Sequence, residues 1–361
     1  MRILHIIDHV GMGGAQTILK GILEKNRDNK DIFYYALRNN KIKVEIDHPN
    51  IHSYKGYSKL NTQSLLELRK LIKKEKIDVI HCHLAKSMFF GYILKILFFK
   101  KIKLIFHEHG RIFENQKLYN YFNEKVQNNV DLFIAVSEAT KIELIKNSKV
   151  DEHKIKVLYN FVDLNKINPN IKNYDITIKA KEVGIDKDYF VIGFAGRLNR
   201  IKGCDILIKS IPYIKIQNIK IMIAGDGIER KQLDKLSKDL NLKDKIIFLG
   251  YVNNIEEFYN IIDYLVIPSR SESFGLSAIE AQASGTPVIA SSIKGLNEIV
   301  LDKKTGLLFQ PENEKDLAEK IELIHNDKNL RIELIKNGLY EVRKYSLDNY
   351  LLNLKSIYEN Y

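Results

Sequence analysis

Short runs of β-branched and aromatic residues recur along the chain, separated by amphipathic segments of helical period. This alternation restricts the fold more than any other feature. RILHII, DIFYYAL, DVIHCH, KLIFHEH, DLFIAVS and IKVLYN read as strands in the first half, and FVIGFAG, IKIMIAG, KIIFLG, YLVIPS and PVIAS in the second. Most are near-continuous apolar runs, as strands buried on both faces of a parallel sheet must be. Between them lie segments such as NTQSLLELRKLIKKEK and GIERKQLDKLSKDLNL. The pattern is βαβ, which predicts an α/β protein with doubly wound sheets.

RILHIIDHVGMGG and FVIGFAGRLNRIKG each run strand, glycine-containing loop, helix, and each opens a Rossmann-like unit. The stretch 165–188 between them is polar, holds Pro169 and lacks strand pattern, so it reads as a linker. A length of 361 residues accommodates two such domains. The expected division is 1–170 and 171–361, with ligands outside the carboxyl ends of the strands. MRILHIIDHV reads as a first strand, because His5, Asp8 and His9 break the apolar run a signal peptide needs. No stretch approaches the roughly 20 apolar residues that span a bilayer. Two cysteines, Cys82 and Cys204, make no disulfide framework and fit a reducing compartment.

The net charge of +12 is unevenly placed. Residues 1–180 carry 31 Lys and Arg against 19 Asp and Glu, and the rest carries 26 against 26, so the whole excess lies in the first half. That asymmetry points to an anionic partner for the first half: an acidic substrate, a membrane surface or a nucleic acid.

The motifs that could carry chemistry sit where strands end. GRLNRIKG (Gly196–Gly203) offers Arg197 and Lys202 beside a helix start, a combination suited to a diphosphate and to charge on a phosphate leaving group. SRSESFGLSAIE (Ser269–Glu280) joins a strand to a helix through Gly275, again suited to an anion. Yet it carries Glu272 and Glu280, which would repel a bare phosphate. A nucleotide sugar resolves the conflict, since its sugar hydroxyls donate to carboxylates. In HVGMGGAQ, the glycines Gly11, Gly13 and Gly14 let backbone approach a ligand. Their spacing is not G-x-G-x-x-G, and no acidic residue ends the next strand, which argues against NAD. HCH (His81–His83) and HEHG (His107–Gly110) supply four histidines with the composition of a zinc site. With the two members of each pair assigned to opposite strand faces, a pair chelates only where its strand has already ended. The expectation is one histidine facing the cleft and the others packing or capping.

Together, GMGGAQ, DVIHCH, FHEHG, AVSEAT, LYNFVD, GRLNRIKG, AGDGIER, PSRSESFGLSAIEAQASGTPVIAS, LNEIV and TGLLFQP resemble family 4 of the retaining glycosyltransferases over nearly the whole chain. Glu272 and Glu280 match its E-x(7)-E signature. The resemblance implies the GT-B fold: two Rossmann-like domains with parallel sheets facing across a cleft, and a C-terminal helix (345–361) crossing back to the N-terminal domain. It implies that Arg197 and Lys202, beside Gly196, bind the donor diphosphate. Glu272 then meets the transferred sugar, the backbone of Ser273, Phe274 and Gly275 lies by sugar and phosphate, and Glu280 holds the ribose. Gly13 and Gly14 close over the phosphate, and His109 sits by donor sugar and acceptor, with His107 not separable from it. Phe161 stands where the family commonly has glycine, and Ala15-Gln16 departs from its usual continuation.

The implied reaction is retaining transfer of a hexosyl or N-acetylhexosaminyl group from a nucleotide sugar to a glycan or lipid-linked saccharide, in cell-surface polysaccharide biosynthesis. A UDP-sugar is the favoured donor, and no cofactor, metal or nucleic acid is called for. The departing phosphate would take the acceptor's proton, and domain closure would exclude water. The first domain holds the acceptor. KSMFFGYILKILFFKKIK (Lys86–Lys103) reads mainly as a sheet-covering helix, with contact to an anionic membrane as the alternative. The expected location is cytoplasmic, with peripheral membrane contact. A nucleotide-sugar epimerase or hydrolase, and a non-catalytic glycan- or nucleic-acid-binding protein, are the rival readings.

Overall fold

The computed structural model describes residues 1–11, 13–39, 46–56, 62–110, 116–167, 185 and 189–360. Most of the expected linker therefore lies outside the described residues. The chain divides into two units, Met1–Phe161 with Leu347–Tyr361, and Val162–Ser346. Val162 and Ser346, the ends of the second unit, form a parallel bridge.

The first unit is built on strands β1 (Ile3–Ile7), β2 (Ile32–Ala36), β3 (Ile51–Ser53), β4 (Val79–His83), β5 (Lys103–Glu108), β6 (Leu132–Ala135) and β7 (Ile155–Val157). They pair in the order β3-β2-β1-β4-β5-β6-β7, every pair parallel. Every residue of β1, β2, β4 and β6 is buried, so the apolar runs are explained by helices on both faces. One of these helices, Ala85–Leu97, lies so close to β4 that a Cβ on Gly91 would run into Cys82 Sγ. It covers the sheet as expected, but Phe89 and Leu97 remain 50% and 63% exposed.

The second unit holds β8 (Phe190–Ala195), β9 (Ile219–Ala224), β10 (Ile246–Gly250), β11 (Tyr264–Ile267), β12 (Val288–Ser291) and β13 (Leu307–Phe309). Their order is β10-β9-β8-β11-β12-β13, again all parallel. Each order reverses direction about its first strand, which brings the loops after the central strands together at a switch point. Two strands were not expected, β3 and β13. Each has three residues and lies at a sheet edge. Among the described residues no helix is long and apolar enough to cross a membrane.

Candidate active site

In the second unit the loop after β8 is tied down before it presents any charge. Gly196 N–H donates to the Ala224 carbonyl at 2.9 Å, and Leu198 N–H to that of Asp226 at 2.9 Å. Asn199 caps the following 3-10 turn by accepting from Lys202 N–H at 3.1 Å. Gly203 then adopts φ +67°, where a Cβ would run into the Pro268 carbonyl. Only glycine allows that approach. Arg197 is exposed on this loop, and Lys202 is half-buried.

The loop after β11 meets it from the other side. Lys202 Nζ donates to Glu272 Oε1 and Oε2 at 2.8 and 2.6 Å. The Glu272 side chain is only 11% exposed. Two residues earlier, Arg270 acts as the fastening. Its N–H reaches the Ile201 carbonyl at 2.7 Å, and its guanidinium reaches the Arg200 carbonyl at 2.7 Å. The same guanidinium holds Asp205 at 2.7 and 2.9 Å and Glu312 at 2.5 and 3.0 Å. Its hydrogen bond to Asp205 is the first reason the guanidinium is held firmly charged. Burial works against the Asp205 carboxylate, but Arg270 and Lys209 hold it below the usual range.

Phe274 is buried, its ring edge-on to Tyr345 at 5.6 Å. Ser273 is half-buried. Gly275, at φ +99°, opens the helix Leu276–Ala283. Gly295 passes so close beneath the loop that a Cβ there would run into the Glu272 carbonyl. Just over a turn into the helix, Glu280 accepts from Tyr259 O–H at 2.8 Å. Burial pushes its carboxyl up to about 7, against the lowering effect of that hydrogen bond.

In the first unit, Gly13 precedes the helix Gly14–Lys25 with φ 167°, extended backbone that any residue adopts. A Cβ there would meet only the flexible Gln16 side chain, at 2.7 Å. The local fold therefore does not require glycine at 13. Asp8, just after β1, accepts from Lys86 and Ser87 N–H at 3.2 and 2.7 Å, and burial raises its carboxyl to about 6.

The histidines overturn the expectation that H-x-H members point apart. Residues i and i+2 of a strand share a face, and the parallel register sets His5 beside His81 and His83 beside His107. With His109 just past β5, five imidazoles form one stack, with successive centroids 4.1–5.2 Å apart. His5, His81, His83 and His107 are fully buried, and His109 keeps some exposure. Burial, helped in four of the five by neighbouring histidines, holds them neutral; His5 and His109 lie at about 3.

Residues 28–166 match the model described as Glycosyltransferase Family 4, and 175–339 the model described as Glycosyl transferases group 1. An uncharacterised glycosyltransferase of Methanocaldococcus jannaschii is 31% identical over 359 residues, 96% of this chain and 95% of that protein. The chain belongs to glycosyltransferase family 4. It is 31% identical to the Escherichia coli UDP-Gal:alpha-D-GlcNAc-diphosphoundecaprenol alpha-1,3-galactosyltransferase, over 75% of this chain and 72% of that one. In fold it matches Anabaena Alr3699/HepE solved with UDP-glucose, at a TM-score of 0.87 and 20% identity over the full length of both. The two parallel-sheet units are those of the GT-B fold.

For this glycosyltransferase the structure brings Lys202, Glu272, the Gly196 loop and the Gly275 helix start together in one unit. It puts Glu280 on the same helix and the histidines in the other unit. Sequence reasoning missed Arg270, Tyr259, Gly295, Asp8 and the membership of His5 in the histidine stack. Only His5 left a usable signal, because parallel pairing of RILHII with DVIHCH aligns the two histidines.

Proposed function

We propose that this glycosyltransferase moves a hexosyl or N-acetylhexosaminyl group from a UDP-sugar to a glycan or lipid-linked saccharide, with retention of anomeric configuration. The reading rests chiefly on the bidentate Lys202–Glu272 pair. It holds a cation and an anion side by side, as a donor carrying a diphosphate and a hydroxyl-rich sugar needs. On donor binding, Lys202 and the exposed Arg197 turn to the diphosphate, and Glu272 accepts from sugar hydroxyls. The backbone N–H groups of Ser273, Phe274 and Gly275 lie by phosphate and sugar, and Glu280 holds the ribose.

The acceptor oxygen forms its bond to the anomeric carbon on the face the diphosphate leaves. The bond to the phosphate oxygen breaks, and that oxygen takes the acceptor's proton. Cations that stabilise the leaving charge supply most of the rate, and the scheme contains no metal step. The first unit takes the acceptor, with His109 at the end of β5 beside the reacting groups. Exposed Phe89, Leu97 and Phe98, next to Lys100 and Lys101, suit the surface of an anionic membrane carrying a lipid-linked acceptor. That fits a role in cell-surface polysaccharide assembly.

A thermal-shift screen of UDP-, GDP- and ADP-sugars tests the donor. A ligand at a hundred times its Kd stabilises by about 2.7 kcal/mol. Proton NMR of the product with the best donor then reads the anomeric configuration. Inversion, or full transfer by both Lys202→Ala and Glu272→Ala, would sink the reading.

A further inference from the structure

Ten ring nitrogens lie together in the first unit, and their hydrogen bonds form two series. His109 Nε2 lies 2.8 Å from His83 Nδ1, and His83 Nε2 lies 3.0 Å from His5 Nδ1. In the second series, His107 Nδ1 lies 3.2 Å from His81 Nε2, and His81 Nδ1 lies 2.7 Å from the Tyr358 hydroxyl. Three nitrogens are left without a partner: His5 Nε2, His107 Nε2 and His109 Nδ1. A neutral imidazole has one donor and one acceptor, so leaving buried nitrogens unpaired costs about 1–3 kcal/mol each.

One nitrogen each from His83, His107 and His109 lies within 4.8 Å of the other two. We propose that these three histidines bind one divalent transition-metal ion of the kind that prefers imidazole, zinc above all, with His5 and His81 behind them as orienting acceptors. Assigning His83 Nδ1, His107 Nε2 and His109 Nε2 to the ion settles the protons. His83 then donates through Nε2–H to His5, and His107 through Nδ1–H to His81, which in turn donates to Tyr358. Metal-bound histidines characteristically give their second N–H to such a partner. The assignment also employs the otherwise unpaired His107 Nε2.

Binding requires the rings to shift, His107 closing on the other two from a separation of up to 4.8 Å. Nitrogens about 2.0–2.1 Å from a tetrahedral zinc are about 3.4 Å apart, so His83 and His109 would part by roughly 0.6 Å. Three neutral histidines leave a coordination position open, and His109 is the one that keeps exposure. The ion is not part of the transfer scheme above. It would occupy an imidazole that the scheme gives to the reacting groups, so zinc is expected to inhibit transfer.

Binding is measured without donor or acceptor, so it stands apart from the proposed activity. Tag-free protein is stripped with chelator and titrated with Zn2+ against a chromogenic competitor, with Co2+ as a spectroscopic substitute. The expected result is one ion per chain and a cobalt absorption spectrum of nitrogen ligation at low coordination number. His107→Gln and His109→Gln should weaken binding at least 100-fold, and His5→Gln about 10–100-fold, with folding checked by circular dichroism. Failure of the wild-type chain to compete for micromolar zinc overturns the proposal, and that measurement needs no variant. Wild-type affinity in His109→Gln together with loss in His5→Gln overturns it too, by moving the ion to the neighbouring His5, His81 and His83.

Discussion

Arg270 grips Asp205 through two parallel hydrogen bonds while the same guanidinium holds the Arg200 carbonyl, so one side chain fastens the Lys202 loop to the Glu272 loop. A lysine keeps the charge but cannot reproduce that fork. Arg270→Lys should therefore cost about 1.5–3 kcal/mol of stability, read by chemical denaturation. Because Lys202 and Glu272 lose their common anchor, kcat/KM with a UDP-sugar donor should fall about 10–100-fold, through kcat more than KM. A normal kcat in a destabilised protein would make Arg270 a purely structural residue.

Lys202 and Glu272 are coupled, and the coupling has a sign that can be measured. Lys202→Ala leaves a carboxylate that is 11% exposed without its cation, which costs more than removing both partners. Each single variant should be less stable than additivity with the double variant allows, by about 1–3 kcal/mol. Transfer in Lys202→Ala should fall about 100–1,000-fold, the size of losing one leaving-group stabiliser. Additive stabilities would mean that the pair contributes nothing to the folded state.

How much of this was readable from residues alone follows from which signals are local. Eleven strands announced themselves as buried apolar runs, but β3 and β13 did not. β7 is as short and also at an edge, but it lies in the longer run IKVLYN, whereas IHS of β3 holds one apolar residue and LLF of β13 only three. Arg197 and Lys202 stood out as cations between an apolar strand and a helix start, and Glu272 and Glu280 as carboxylates where a bare phosphate would exclude them. Arg270 did not stand out, although it lies between them, because its partners Asp205 and Glu312 are 65 and 42 residues distant. The demand for glycine at 295 comes from a carbonyl in another loop, and no sequence pattern carries that. The histidine stack was within reach. It needed only the rule that alternate strand residues share a face, which places His81 with His83 and, through the register, both with His5.

Glu280 gives the stability a pH dependence. Its carboxyl lies at about 7 in the folded chain against an ordinary value of 4.5, chiefly through burial. The native state thus keeps a proton that the unfolded chain has released, and stability falls as pH rises between those values. Below that window both states are protonated, and above it the cost is carried in full. Melting curves of the wild type should drop across pH 4.5 to 7, with a shallower slope in Glu280→Gln. The same variant should bind the UDP-sugar at least 10-fold more weakly if the carboxylate holds the ribose. An unchanged slope would place the titration elsewhere.

The structure accounts for Phe161 within the first unit. The ring is 6% exposed and lies 4.7 Å from Tyr350 in the helix Leu347–Asn360. It also covers Gly21 of the helix Gly14–Lys25, where a Cβ would come within 2.6 Å of the Phe161 ring. Phe161→Ala should cost about 3–5 kcal/mol, as large-to-small core changes do. Gly21→Ala would gain about 1 kcal/mol of helix propensity, but against the ring it should lose about 1–3 kcal/mol to overpacking. The two effects predict a reversal. Gly21→Ala should destabilise the wild type yet stabilise the Phe161→Ala background, because the methyl then fills space the ring has left. Urea denaturation of the four proteins in that cycle reads the sign directly, and a destabilising Gly21→Ala in both backgrounds would show that the ring does not determine the glycine.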